Sequence, residues 1–175
     1  MTLSRPRSLD ELLNYRLMRL FSLSGAPIVR LCEGRYGISR REWRIVALLA
    51  AHGPLSPSAL ADRGDLDRAR TSRAIGSLAG KKLVERVPQP GDARRAVVGL
   101  SDTGRRLYDD LFPQVAEINR QVLAALDPPL VDALDEALKR LTEHAATVNR
   151  GNALDVQADR RHGGSRRRWL RDDVD

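Results

Sequence analysis

Aromatic residues make up only 4% of this 175-residue chain, and there is one cysteine. A lone Cys32 excludes an internal disulfide. The three histidines are scattered, and no Cys/His cluster has the spacing of a zinc site, so no metal is expected. No uninterrupted apolar run reaches the roughly 18 residues of a membrane span. The N-terminus also lacks the charged, apolar and small-residue order of a secretory signal, which leaves a cytoplasmic protein with no membrane partner as the expectation. Missing as well are a nucleophile–base spacing, a Gly-rich phosphate loop and a paired-carboxylate constellation. Neither catalytic residues nor a cofactor are therefore expected, and the chain does not read as an enzyme.

What is present is a foldable core, with 42% apolar residues, and a positive charge of +7 that is unevenly spread. Residues 1–62 carry +4, residues 63–106 carry +6, residues 107–149 carry −5 and residues 150–175 carry +2. A basic middle followed by acidic helices suggests that one part of the chain faces a polyanion and the next turns away from it.

The apolar spacing predicts a chain of helices broken by one hairpin. Leu9, Leu12, Leu13, Leu17, Leu20 and Leu23 follow helical spacing, and Ser8 with Glu11 fits a capping box at its start. Gly25-Ala26-Pro27 is expected to bend or interrupt that helix before it resumes over Ile28 to Glu33. A second helix begins near Ser39, with Glu42 three positions on, and stops at Gly53-Pro54. Ser56 and Ser58 open a third, and Asp67 caps a fourth that runs from Arg68 to about Lys82. Leu83–Val87 and Ala96–Leu100 read as strands. Ser101, Asp102 and Thr103 start a fifth helix, and Asp127-Pro128-Pro129 separates it from a sixth that ends near Val148.

A helix-turn-helix that runs directly into a hairpin with a basic tip, Asp92-Ala93-Arg94-Arg95, is a winged helix-turn-helix. Duplex DNA offers such a shape a groove for the helix and phosphates for the tip. On the fourth helix, Thr71, Ile75, Leu78 and Lys82 fall on one side. Ala69, Arg70, Arg73, Gly76, Ser77 and Gly80 fall on the other, small where the helix must approach DNA closely and basic towards its start. Arg68, Arg70, Thr71, Ser72, Arg73 and Ser77 are the candidate contacts from this helix, with Thr71 and Ser72 able to donate to a phosphate. A solvated, salt-bridged face is the alternative reading of the arginines. In the wing, Arg94 is the candidate for minor-groove insertion, Arg95 for an adjacent phosphate and Asp92 for an orienting partner, or simply a turn cap. Lys81, Lys82 and Arg86 are further phosphate candidates.

Val122, Leu126, Leu130, Leu134, Leu138 and Leu141 form one apolar stripe, and Leu9 to Leu23 form another. The two could cover each other within one chain or meet a second copy, and the dimer is the favoured reading. A two-fold dimer sets two recognition helices roughly 34 Å apart, matching a pseudo-palindromic site. The expected architecture is mainly α with a small β-wing. Residues 37–100 form the DNA-binding lobe, residues 1–36 and 101–149 the helical dimerisation region, and residues 150–175 a mobile tail.

The segments Ser39-Arg40-Arg41-Glu42-Trp43-Arg44, Leu60-Ala61, Thr71-Ser72-Arg73, Leu83-Val84-Glu85-Arg86, Asp92-Ala93-Arg94-Arg95 and Leu100-Ser101-Asp102-Thr103-Gly104 resemble the MarR family of transcriptional regulators. The wing Asp-x-Arg followed by Leu-[Ser/Thr]-x-x-Gly is the most specific part, and the likeness covers about residues 9–149. It implies a homodimer joined by its first, fifth and sixth helices that binds operator DNA and usually represses nearby genes. It also implies that Asp92 pairs with a recognition-helix arginine, for which Arg73 is the candidate, while Arg94 enters the minor groove.

The resemblance further implies release from DNA by a small phenolic or aromatic carboxylate bound between the dimer helices and the lobe. An independent clue is Arg16, set within the apolar stripe of the first helix, where a buried charge would need an anionic partner. That partner is either a ligand carboxylate held bidentately or an acidic residue across the dimer. Tyr15, Arg19, Trp43 and His52 are weaker pocket candidates, with Trp43 reading also as core and His52 as a helix-end residue. Two other functions remain open: a thiol-based redox switch at Cys32, flanked by Arg30 and Arg35, and a winged helix used only for protein contact.

Overall fold

The computed structural model describes residues 3–89 and 92–151, with side chains over 3–88 and 97–149. After a 3₁₀ turn at Leu9–Glu11 come α1 (Leu13–Tyr36), α2 (Arg40–His52), α3 (Pro57–Arg63) and α4 (Arg68–Gly80). The hairpin β1 (Val84–Gln89) and β2 (Asp92–Leu100) follows, then α5 (Asp102–Leu123) and α6 (Pro128–Gly151). This is a mostly helical chain with a two-stranded wing. Among the described residues, those up to Ala125 form one compact unit and those from Leu126 onward a second.

Helix starts in the first unit follow local chemistry. The Ser39 hydroxyl accepts from the Glu42 N–H at 3.2 Å, and the Glu42 carboxylate accepts from the Ser39 N–H at 2.6 Å, which closes a reciprocal cap on α2. Ser56 caps α3, Asp67 caps α4 and Ser101 caps α5, each accepting an N–H three residues on. Gly37, at φ 63°, ends α1 in the left-handed region, which a glycine adopts without penalty.

Two expectations for the N-terminal helix, a Ser8 cap and an interruption at Pro27, fail. Ser8 makes no side-chain cap, because Leu9–Glu11 closes as a separate 3₁₀ turn; Glu11 instead accepts from the Arg7 N–H at 2.7 Å. Pro27 does not interrupt α1, which is continuous through it. One missing N–H costs a single rung. Ile28, Leu31 and Cys32, beyond the proline, pack on the core and hold the second half in helix.

The core is centred on α2–α4 and the base of the wing and is closed by Cys32 of α1 and by α5. Ile38, Ile45, Val46 and Leu49 from the α2 region meet Leu60, Leu78, Leu83, Val84, Val98 and, from α5, Leu111. The strands pair antiparallel with Val84 opposite Leu100, and the register shifts at Pro88/Gln89. A third, minimal pairing joins Leu55 to Val98 through hydrogen bonds of 2.9 and 2.8 Å and ties the α2–α3 connection to the wing base.

The Leu100–Gly104 segment shows why its residue types matter. Ser101 both caps α5 and donates to the Lys82 carbonyl at 2.6 Å. A side chain at Gly104 would put a Cβ 2.0 Å from the Leu83 carbonyl oxygen, so only glycine lets α5 leave the wing this closely.

In the second unit, Asp127 caps α6 by accepting from the Leu130 N–H at 3.0 Å. Lys139 and Asp135 pair at 2.6 Å on its polar face. Its apolar residues Leu130, Leu134, Leu138, Leu141 and Val148 are exposed.

Candidate nucleic-acid interface

The candidate recognition surface is built on the α3–α4 turn. Asp65 takes φ 48° there, and Leu66 donates to the Ala61 carbonyl at 2.9 Å. Arg44 reaches from α2 to the Gly64 carbonyl at 2.8 Å, which pins the turn to the lobe. Asp67 caps α4; the Arg70 N–H, then the Ala69 N–H and the charges of Arg70 and Arg73, hold its carboxyl below the usual carboxylate range.

Thr71, Ala74 and Leu78 are buried, so α4 turns its opposite side to solvent. Arg68, Ala69, Arg70, Ser72, Arg73, Gly76, Ser77 and Gly80 are exposed. Gly76 and Gly80 have nothing within 4 Å of a Cβ position. Thr71 requires correction as a phosphate donor. It is fully buried, and its hydroxyl donates to the Asp67 carbonyl at 2.9 Å, the local bond a threonine readily makes in a helix.

Two clefts flank α4. One of about 360 Å³ lies between α2 and α4 and is lined by Ser39, Arg41, Glu42, Arg70, Arg73, Ala74 and Ser77. Another, of about 490 Å³, separates α4 from the wing and includes Ser72, Gly76 and Arg86.

At the floor of the first, Glu42 is 4% exposed. Lys81 Nζ donates to both its oxygens at 2.9 and 3.1 Å and to the Gly37 carbonyl at 2.8 Å. Burial pushes the Glu42 carboxyl up, but the Ser39 N–H, Lys81 and the hydroxyls of Ser77 and Ser39 together hold it below its ordinary value. Lys81 is therefore a tie between the ends of three helices rather than a free phosphate ligand. Ser77 likewise turns towards Glu42. Lys82, past the end of α4 at φ 58°, is not part of its packed face.

The backbones of Asp92, Arg94 and Arg95 lie in β2; their side chains, and with them the expected Asp92–Arg73 pair, lie outside the described residues. The expected 150–175 tail falls outside them as well, apart from the backbone of its first residues at the end of α6.

The effector candidates do not form one pocket. Tyr15, Arg16 and Arg19 line a shallow depression with Asp10 and Leu23. Arg16 is exposed rather than buried, and its Nε donates to the Asp10 carbonyl at 2.7 Å, so the protomer imposes no need for an acidic partner. Arg19 approaches Asp10 only to 3.9 Å. Trp43 belongs to the core, stacked on Tyr108 with centroids 5.7 Å apart, and His52 is exposed in the last turn of α2. Cys32 is fully buried; burial and then Glu33 raise its thiol pKa, with Arg40 opposing. That is the reverse of what a reactive thiolate requires.

The sequence pattern gave no sign of Arg41. It lies in the first turn of α2, and only the packing of α2 beside α4 reveals that it shares a cleft with Arg70 and Arg73.

A family model for the MarR family matches residues 36–95, the stretch from the end of α1 into the wing. Over that stretch, about a third of its length, the chain is similar to the MarR family. Among curated proteins it is similar to the HTH-type transcriptional repressor NicR of Pseudomonas putida, at 30% identity over 79 residues. That match covers 45% of this chain and 50% of NicR, so the chain spans about half the length of that relative. It is also similar to the homoprotocatechuate degradative operon repressor of Escherichia coli, at 26% identity over 65% of this chain and 74% of the relative. In fold it matches the structure of BpsR from Bordetella bronchiseptica, whose DNA binding is regulated by 6-hydroxynicotinic acid. The TM-score is 0.68, with 21% identity over 79% of this chain and 98% of that one.

Proposed function

We propose that this chain is a MarR-family regulator: a cytoplasmic, homodimeric, sequence-specific DNA-binding repressor, released from a pseudo-palindromic operator by a small aromatic carboxylate or phenol. The carrying observation is the solvent face of α4, with Ala69, Gly76 and Gly80 where a groove floor would come closest and Arg68, Arg70 and Arg73 around them. A helix with that relief enters a major groove, and its arginines address guanine edges and phosphates. Ser72 faces the wing side, and Arg94 and Arg95 at the wing are assigned the flanking minor groove and phosphate. Asp92 is assigned their orientation.

Residues 37–100 act as the reading lobe, and the helices on either side as the dimerisation region. An aromatic acid as effector is supported by the names attached to two of the similar proteins, one a repressor of a homoprotocatechuate operon and one regulated by 6-hydroxynicotinic acid. In this chain the depression of Tyr15, Arg16 and Arg19 offers two guanidinium groups beside an aromatic ring, a match for a carboxylate on an aromatic scaffold.

The test is a mobility shift on the intergenic DNA upstream of the protein's own gene, with and without a panel of aromatic carboxylates and phenols. Specific retardation relieved by one compound is the expected result. Absence of any specific shift would sink the operator reading and favour a protein-contact module.

A further inference from the structure

The arginines around α4 are not equivalent, and their placement divides the work between them. At about 100° per residue, the buried residues Thr71, Ala74 and Leu78 fix the inward direction, and Ala69 points directly away from it. Arg73 stands about 40° from that outward axis and Arg70 about 100° from it, on the side turned towards α2. Arg70 therefore projects along the flank of the helix, where Arg41 meets it across the cleft of about 360 Å³.

Among the described residues, no carboxylate lies within ion-pair distance of Arg41, Arg70 or Arg73. The one acidic group lining the cleft, Glu42, is already bound to Lys81 and to the Ser39 N–H. Like charges brought together without a counter-charge need an anion to offset their repulsion.

We infer that Arg41 and Arg70 form a backbone seat, holding one phosphodiester of the duplex at the flank of α4 and leaving Arg73 as the arginine that reads a base edge. This rests on the DNA-binding reading above and extends it to Arg41, a residue outside the helix-turn-helix. Phosphate seats set register and affinity without reading sequence, whereas base contacts set specificity.

The experiment measures binding of the full chain to its operator and to an unrelated duplex of equal length, over a salt series, for wild type, R41A, R41K, R70A and R73A. R41A is expected to weaken both duplexes by the same factor, about fivefold to tenfold. It should also reduce the slope of log K against log salt by about 0.9 for each phosphate that is no longer neutralised. R70A should do the same, and R41K should keep the slope. R73A should weaken the operator more than the unrelated duplex. Arg41 is exposed and makes no hydrogen bond among the described residues, so the melting temperature of R41A should match wild type. An R41A protein with unchanged affinity and slope, or one weakened on the operator alone, overturns the seat while the DNA-binding reading stands. A wild type that binds neither duplex overturns both.

Discussion

The lobe around α2–α4 and the first two turns and more of α1 are both rich in leucine, yet they treat it in opposite ways. In the lobe, Leu49, Leu60 and Leu78 are at most 1% exposed, and every helix start carries a side-chain cap. Along α1 before Gly25, Leu20 is 53% exposed, Phe21 50% and Leu23 70%, and its first helical residue follows an uncapped Leu12. Taken by itself, α6 repeats the pattern of α1: a well-formed helix with its apolar stripe open to solvent. The lobe buries its leucines in a core shared with the second half of α1 and with α5, whereas the first half of α1 and α6 carry apolar area far beyond the scattered leucines of an ordinary surface. Burial of one such leucine contributes about 2 kcal/mol, so a stripe of several would supply a strong driving force for the homodimer proposed above.

The largest expected effect comes from breaking that association. Leu134→Glu with Leu138→Glu puts two charges into the α6 stripe without touching the lobe. The double variant should sediment as a monomer with its lobe still folded. Operator affinity should fall by about 100-fold or more, because two linked half-site contacts become independent. A stable dimer with these substitutions would show that α6 is not the joining surface.

Next is the lobe itself. Leu78→Ala removes a fully buried side chain at the junction of α4 and the wing and should cost about 3 kcal/mol of stability, read as a lower denaturant midpoint. If the comparison holds, this variant keeps its dimer under native conditions while the double glutamate variant keeps its lobe. Loss of both properties in either variant would mean that the two regions fold as one cooperative unit.

A smaller, pH-dependent effect should come from Glu42. Its carboxyl is held below its ordinary value of 4.5 in the folded lobe, so the ionised form stabilises the fold fully above that value. That contribution is lost as pH falls through the lowered value, because the proton must then be accommodated beside Lys81. Wild type should therefore lose stability below about pH 4.5 more steeply than Glu42→Gln. At neutral pH the variant should be weaker by about 1 kcal/mol, a modest figure because Lys81 is 37% exposed and rehydrates once unpaired. Parallel acid profiles in the two proteins would remove Glu42 from this role.

How much of this was legible beforehand follows from the range of each interaction. The caps at Ser39, Ser56, Asp67 and Ser101 act on N–H groups three residues away and stand in the sequence as written. The Leu-Ser-x-x-Gly step was legible as a signature, but its reason, the Leu83 carbonyl against Gly104, is a tertiary contact. Ser8 and Glu11 have the capping-box spacing yet form a 3₁₀ turn, since spacing alone does not commit the next turn to helix. At Pro27 the local penalty is offset by the packing of Ile28 and Leu31 on the core, a tertiary effect that the residue type does not carry. Thr71 was misplaced by its polarity: a hydroxyl that bonds its own helix behaves as a core group. Leu55, paired to Val98 for a single bridge, is too short for any periodicity to reveal. Arg41 was out of reach for the same reason, as its neighbours lie about thirty residues on.

The smallest structural effect is expected at Arg16, and it sharpens the contrast between the regions by separating folding from signalling. Its side chain is exposed and satisfied only by the Asp10 carbonyl, so Arg16→Ala should shift stability by no more than about 0.5 kcal/mol and leave operator affinity unchanged. If the depression with Tyr15 and Arg19 receives the effector, the same substitution removes one of two cations that would bind its carboxylate. The concentration of an aromatic acid needed for half-release should then rise by about tenfold, the loss of a charge-assisted hydrogen bond of about 1.5 kcal/mol. Arg16→Lys should recover part of that loss, since it restores the charge without the fork. A release curve that does not move in Arg16→Ala would place the effector elsewhere and leave Arg16 as a surface tie to the turn before α1.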